Sequence, residues 1–207
     1  MKTIYLIRHG EAEANVDHSA YINRPHHSFR LTEKGEQQAS LVGQVLADQL
    51  RGQNIAIYSS TYHRSLTTAE IARNEMTRSW GTVPPETIQD PRLNERDWGK
   101  FTSQEHLVQA TIDHEADPFY FKNETGEDVK DVYLRVASFF QDYQAQKNTM
   151  VIFTHGEWIV TCMMYFLKFG VDGYLKFKEP KNGDGFVLQI HTDGEIICTP
   201  LKKSANQ

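Results

Sequence analysis
The stretch "TIYLIRHGEAEAN", residues 3–15, carries the reading of this chain. Thr3 to Ile7 form an apolar run of the kind that makes a buried strand, and it stops abruptly at Arg8, His9, Gly10 and Glu11. A chain that merely had to turn could use Gly, Asn or Asp there. An Arg and a His side by side at a strand end ask for a chemical reason.

Outward from that strand, the chain alternates. Thr32 is placed to cap a helix running to about Gly52, with Ala39, Val42, Val45, Leu46 and Gln49/Leu50 on its inner face. "IAIYSS" reads as the second strand, and "YHRSLTTAEIARNEM" sets Leu66, Ala69, Ala72 and Met76 at helical spacing. "VPPETIQD" is a short third strand entered through prolines, and Arg92 to Thr125 reads as less regular. "GEDVKDVYLRVASFFQDY" then carries a helical stripe of Val129, Val132, Val136 and Phe139/Phe140, with acids in its first turn. Strand "MVIFT" and helix "EWIVTCMMYFLKF" follow. "GFVLQIHTDGEIICTPL" is two strands around an Asp193-Gly194 turn, a hairpin signature.

This order predicts an α/β fold of three layers, α/β/α, with a mostly parallel sheet and the hairpin as its antiparallel edge. No repeat, low-complexity tract or linker divides the chain, so residues 1–207 are expected to form one domain.

Composition excludes several roles. A net charge of −5 argues against general binding to nucleic acid or to an anionic membrane surface, so an anion must meet a local basic pocket. No window approaches the run of about 20 apolar residues that spans a bilayer, and the N-terminus has no secretory pattern; a soluble, cytoplasmic protein is expected. Cys162 and Cys198 have neither C-x-x-C nor zinc-ligand spacing and are expected to be reduced and buried.

In a parallel sheet the C-terminal strand ends share one edge, where ligands bind. Three apolar strands end there in reactive residues: "YLIRHGE", "IYSSTYHR" and "VIFTHGE". Their convergence brings His9, His155, Arg8 and Arg64 to one crevice. A phosphate monoester carries about −1.5 to −2 charge near neutral pH, and Arg offers planar bidentate donors to its oxygens. Neutral imidazole is nucleophilic without a base, and neighbouring arginines keep His9 neutral. His155 can then hydrogen-bond the phosphoryl oxygens in the transition state. The leaving alkoxide needs a proton, and Glu11, Glu95, Asp97, Glu105 and Glu157 are all candidates to supply it. A lone His at a strand end is usually a satisfied structural group; three such strand ends together point to a site.

These residues resemble the histidine phosphatase superfamily, the phosphoglycerate mutase-like family, over nearly the whole chain. "LIRHGEAEAN" is similar to its nucleophile motif, "LTEKGEQQA" to its first helix and "YSSTYHRSLTTAE" to its second-arginine motif. "LNERDWG" resembles the acid motif and "VIFTHGE" the second-histidine motif. The resemblance implies a phosphoglycerate mutase-like fold, phosphorylation of His9, and a phosphoryl group held by Arg8, Arg64 and His155. It nominates Glu95 as proton donor, and Asn15, together with Gly156 of the second His-Gly pair, as substrate contacts. No metal or cofactor is implied. Ala12, Tyr62, Ser65 and Glu127-Asp128 depart from the common pattern without removing a catalytic group.

Mutases of this family carry a long basic insertion after the acid motif and an Asn-Ser pair after the second His-Gly. Here 26 residues lie between Gly99 and Gly126, and "HGEWIVTCMM" runs differently. Hydrolysis of a small phosphorylated metabolite is therefore favoured, with a mutase and a catalytically silent phosphate-binding module as alternatives. A metal-dependent phosphohydrolase is disfavoured by the absence of H-E-x-x-H, H-x-H or D-x-D spacing. "VDHSAYINRPHHSFR" supplies Tyr21, Arg24, His26, His27 and Arg30, a basic and aromatic cluster suited to a second anionic group on the substrate, with Arg24 as its leading contact. "DPFYF" supplies Phe119, Tyr120 and Phe121.

Overall fold
The computed structural model describes residues 1–143 and 149–201. Strand β1 (Lys2–Arg8) leads through two short helices, α1 (Glu13–Val16) and α2 (Ala20–Asn23), to the long helix α3 (Glu33–Leu50). Strand β2 (Ile55–Ser59), helix α4 (His63–Trp80) and strand β3 (Thr87–Gln89) follow. Helices α5 (Gln104–Ala116) and α6 (Val129–Asp142) precede β4 (Thr149–Thr154), α7 (Gly156–Leu167) and α8 (Val171–Lys176). Strands β5 (Gly185–Ile190) and β6 (Ile196–Pro200) form the hairpin.

The six strands lie in the order β3-β2-β4-β1-β5-β6. The first four are mutually parallel and β5 and β6 run antiparallel, so the expected sheet with an antiparallel edge is present. Side-chain alternation divides the core between two layers. Tyr5, Ile7, Val151 and Phe153 pack with α3 and α4, while Ile4, Leu6, Met150 and Ile152 pack with α6 and α7. Each fully buried Ile or Leu of β1 contributes about 1.5–3 kcal/mol of burial free energy. β1 and β4 pair directly, Arg8 opposite Thr154, so the segments after both strands emerge together at the same sheet edge.

The helix starts follow local chemistry. Thr32 Oγ1 accepts from the Gly35 amide to cap α3, and Asp128 forms a capping box with Asp131 at the start of α6. Gly81, at φ 72°, closes α4 in the left-handed conformation that a side chain disfavours.

Several details differ from expectation. The segment Arg92–Thr125 contains the 13-residue helix α5, capped by Ser103. Its apolar residues do not form one stripe: Ala110 is buried whereas Val108 and Ile112 face outward, so the periodic signal is weak. Helix α8, only six residues long, carries no such signal either. Gln49 is exposed and Leu66 half-buried, the buried side of α4 being shifted onto Arg64, Ser65 and Thr68. Cys162 is buried but Cys198 is half-buried, being on the edge strand; both are free thiols. Among the described residues no helix is long and apolar enough to cross a membrane.

Candidate active site
A cavity of about 300 Å³ opens at the C-terminal edge of β1, with Arg8, His9, Arg64 and Glu95 in its wall. His9 is fixed from both sides. Its Nδ1 donates to its neighbour Gly10's carbonyl at 2.7 Å, and its Nε2 accepts from Arg64 Nε at 3.0 Å. Both partners define one neutral tautomer with the Nε2 lone pair turned toward the guanidinium. The main chain is tied as well: the His9 amide donates to the Thr154 carbonyl at 3.0 Å, and the His9 carbonyl accepts from Gly183 and from the Asn182 side chain.

The turn after His9 rests on the start of α3. A Cβ on Gly10 would lie 2.2 Å from the Gly35 carbonyl oxygen, and one on Gly35 would lie 2.0 Å from the Glu11 oxygen. Both glycines are thus required by backbone meeting backbone. Asn15 Oδ1 accepts from the Ala12 amide and from Asn182 Nδ2, which binds the first motif to the loop before β5.

His155, the residue that caps α7, stands beside His9 with ring centroids 5.1 Å apart. Ser60 Oγ donates to Asn94 Oδ1 at 2.8 Å, so the 2.8 Å contact from His155 Nε2 to Ser60 is a donation from the ring. His155 Nδ1 is then the bare nitrogen, buried with no protein partner. Burial first, then Arg64, holds the pKa of both imidazoles well below the ordinary 6.5, with Arg8 adding to the effect.

Arg64 is itself buried, its Nη1 donating to the His26 carbonyl at 2.7 Å. Tyr62 lies 5.0 Å beneath the Arg64 guanidinium and 5.2 Å from the His155 ring, and Ser65 Oγ pairs with Ser59 Oγ at 3.1 Å. The two residues that depart from the common second-arginine pattern therefore brace the site. Arg8 is held by Glu179 at 2.9 Å and by the Pro180 carbonyl at 2.8 Å, while its Nε has no partner. Gly156 permits that arrangement, since a Cβ there would lie 2.1 Å from Glu179 Oε2 and 3.0 Å from Arg8 Cζ.

The five candidate carboxylates separate by environment. Glu11 is tied to Lys34 at 2.6 Å and to Thr32; Glu105 is exposed; Asp97 is exposed and borders a neighbouring cleft. Glu157 is buried in an ion pair with Arg96 at 2.7 Å and accepts from the Tyr174 hydroxyl at 2.7 Å. Glu95 lines the cavity and, among the described residues, accepts from two backbone donors, the amides of Arg96 at 3.0 Å and Trp158 at 3.3 Å. Its pKa is raised by burial first and by Glu157 second, against the pull of Arg64 and Arg8.

The structure thus brings Arg8, His9, Arg64, Glu95 and His155 together, with Asn15 in the cavity wall and Gly156 behind Arg8. Arg24 goes elsewhere: it pairs with Glu13 at 2.7 Å, stacks over Phe29 and borders the neighbouring cleft of about 540 Å³ with His26 and His27. Phe121 reaches the cavity, whereas Phe119 packs into a small core with Val129, Val160 and Tyr174. Arg96, Glu179 and Asn182 escaped the sequence reading. Arg96 stands in "LNERDWG" and could have been flagged as an Arg beside the acid; "KEPKNGDG" offers no comparable signal.

On this α/β sheet the pocket wall holds the Arg8 and Arg64 guanidiniums and the His9 imidazole, with the buried His155 ring beside His9. Residues 4–199 match the histidine phosphatase superfamily (branch 1), and the chain belongs to that superfamily. The phosphoglycerate mutase-like protein AT74 of Arabidopsis thaliana is 28% identical over 94% of this chain, which spans 66% of that relative's length, just under two thirds. Among solved structures, Bacillus stearothermophilus YhfR is 28% identical with a TM-score of 0.75, covering 95% of each chain. The phosphoserine phosphatase of Entamoeba histolytica, solved with 3-phosphoglyceric acid, is 26% identical with a TM-score of 0.70, over 96% of this chain and 95% of that one.

Proposed function
We propose that residues 1–207 form one catalytic domain that hydrolyses small phosphate monoesters through a phosphohistidine on His9. The observation that carries this reading is the His9 ring, with Nδ1 engaged by the Gly10 carbonyl and the Nε2 lone pair facing Arg64. When the substrate dianion arrives, the Arg64 and Arg8 guanidiniums move their donors onto its oxygens and release Nε2 for in-line attack on phosphorus. His155, protonated at its bare Nδ1 as negative charge enters, donates to the equatorial oxygens. Glu95 gives its proton to the departing alkoxide. The resulting Glu95 carboxylate then takes a proton from water, which attacks the phosphohistidine, releases phosphate and restores neutral His9. A cytoplasmic setting accords with the two free cysteines.

The test is release of phosphate from p-nitrophenyl phosphate in excess EDTA by the wild type and by His9→Ala. Turnover that survives the chelator and vanishes in the variant is the expected result, together with a base-stable, acid-labile phosphoenzyme only in the wild type. Interconversion of 2- and 3-phosphoglycerate that requires a bisphosphate primer would replace hydrolysis by mutase chemistry.

A further inference from the structure
We infer that the leaving group this cavity accepts is uncharged and apolar or aromatic, and that esters bearing a carboxylate or second phosphate beside the reacting phosphate are poor ligands. This rests on the proposed placement of the phosphoryl group between Arg8, His9 and Arg64.

The cavity has two ends. Its cations, Arg8 and Arg64, stand beside His9, and beyond them no lysine or further arginine among the described residues lines the wall. The far end is lined by Trp98 and Phe101 and by Leu107 and Ala110 of α5, while Tyr21 lies within electrostatic reach of Arg64 and Arg8. The other guanidinium in this region is not available to a ligand. Arg96 lies behind Trp98, 4.6 Å from its ring, with Nη1 on Glu157, Nε on the Glu127 carbonyl and Nη2 on the Phe121 carbonyl.

Arg24 is committed to Glu13, and Arg24 and Lys100 both border the neighbouring cleft. His114, on the far wall, is kept uncharged by burial and by Arg96, with its pKa pushed down to about 4. His18 sits exposed at the rim. Glu157 and Glu179 also line the cavity, each already paired with an arginine, Arg96 and Arg8, so neither offers a partner to an added negative charge. An anion moved from water into such surroundings loses hydration without gaining a partner. An apolar ring gains burial against aromatic walls. Of the cluster expected from the sequence to serve a second anionic group, Tyr21 lines this cavity, whereas Arg24, His26 and His27 border the neighbouring cleft.

The inference separates this chain from the phosphoserine phosphatase it resembles, whose structure holds a carboxylated phosphate ester. The decisive pair is benzyl phosphate and its 4-carboxy analogue, which share the ring and an alkyl leaving oxygen. The wild type should prefer benzyl phosphate by at least about tenfold in kcat/KM, and should prefer it over 3-phosphoglycerate by more. Calorimetric binding of benzylphosphonate against (4-carboxybenzyl)phosphonate should give the same order with a Kd ratio of about ten, or about 1.4 kcal/mol. Leu107→Arg, which sets a cation in the far wall, should narrow or reverse both ratios.

Equal or better binding and turnover of the carboxylated member would overturn the inference even if His9-dependent hydrolysis is sound. Conversely, selective binding of benzylphosphonate without hydrolysis of any ester would support it while defeating the hydrolytic reading.

Discussion
The two ends of the cavity are built in different ways. The phosphoryl end stands on strand ends and helix starts: His9 follows β1, His155 caps α7, and Arg64 opens α4, each secured through the sheet or a helix. The far end is made from α5 and from the segment of Trp98 and Phe101, which join the body of the molecule through fewer buried apolar side chains. Under the proposed hydrolysis, this difference places chemistry at the rigid edge and selection at the added wall. Loops and peripheral helices can vary while the reacting geometry stays fixed.

The sharpest way to break this comparison is His9→Ala. It should lower kcat by roughly three or more orders of magnitude while leaving the binding order of the phosphonates intact, as nucleophile removal does elsewhere. Binding order lost along with turnover would show that the two ends are not separable. Next, Glu95→Gln should slow benzyl phosphate by roughly 10²–10⁴-fold and p-nitrophenyl phosphate far less, because nitrophenolate departs without a proton. Equal losses on both would deny Glu95 the donor role.

A third test addresses what joins the two ends. Arg96→Met leaves Glu157 buried without its cation and should cost about 3–5 kcal/mol of stability in urea unfolding, with part recovered in Arg96→Met/Glu157→Gln. A change below about 1 kcal/mol would mean that the pair is dispensable.

The pH profile follows from opposite shifts. His9 stays neutral well below pH 6.5 because burial and the arginines disfavour its charged form, and Glu95 stays protonated above its ordinary 4.5 because burial and Glu157 disfavour its carboxylate. The kcat/KM for benzyl phosphate should therefore persist below pH 6.5 and fall as pH rises through the raised Glu95 pKa. That alkaline fall should be absent in Glu95→Gln; a fall unchanged in the variant would assign it to another group.

The smallest effect concerns the wall alone. Ser103 Oγ accepts from the His106 amide at 3.2 Å to cap α5, and Ser103→Ala should cost about 1 kcal/mol locally. KM for benzyl phosphate should rise with kcat little changed; a fall in kcat alone would tie α5 to the chemistry.

The same division explains what could be read from the sequence. β1, β2, β4, α3 and α6 each bury apolar side chains at their own period, so the sheet and its flanking layers were legible. α5 was not, because one of its sides lines a cavity and the other exposes Val108 and Ile112, leaving little contrast between faces. Arg8, His9, Arg64 and His155 stood out as reactive groups at strand ends, and the motif resemblance selected Glu95. The partners that hold them were hidden by distance along the chain: Glu179 lies 171 residues from Arg8, and Glu157 61 residues from Arg96. The pairing of Arg24 with Glu13, 11 residues away, was likewise not legible in the sequence.

Gly10 and Gly35 meet without any side-chain atom between them. The position of His9 is therefore set by a joint between two stretches of main chain, indifferent to how the surrounding walls are repainted. Such a joint cannot be adjusted gradually, since even one methyl group at either position forces the strand end and the helix start apart. A lineage could exchange every residue of the far wall and acquire new substrates, yet still inherit this hinge pin unaltered.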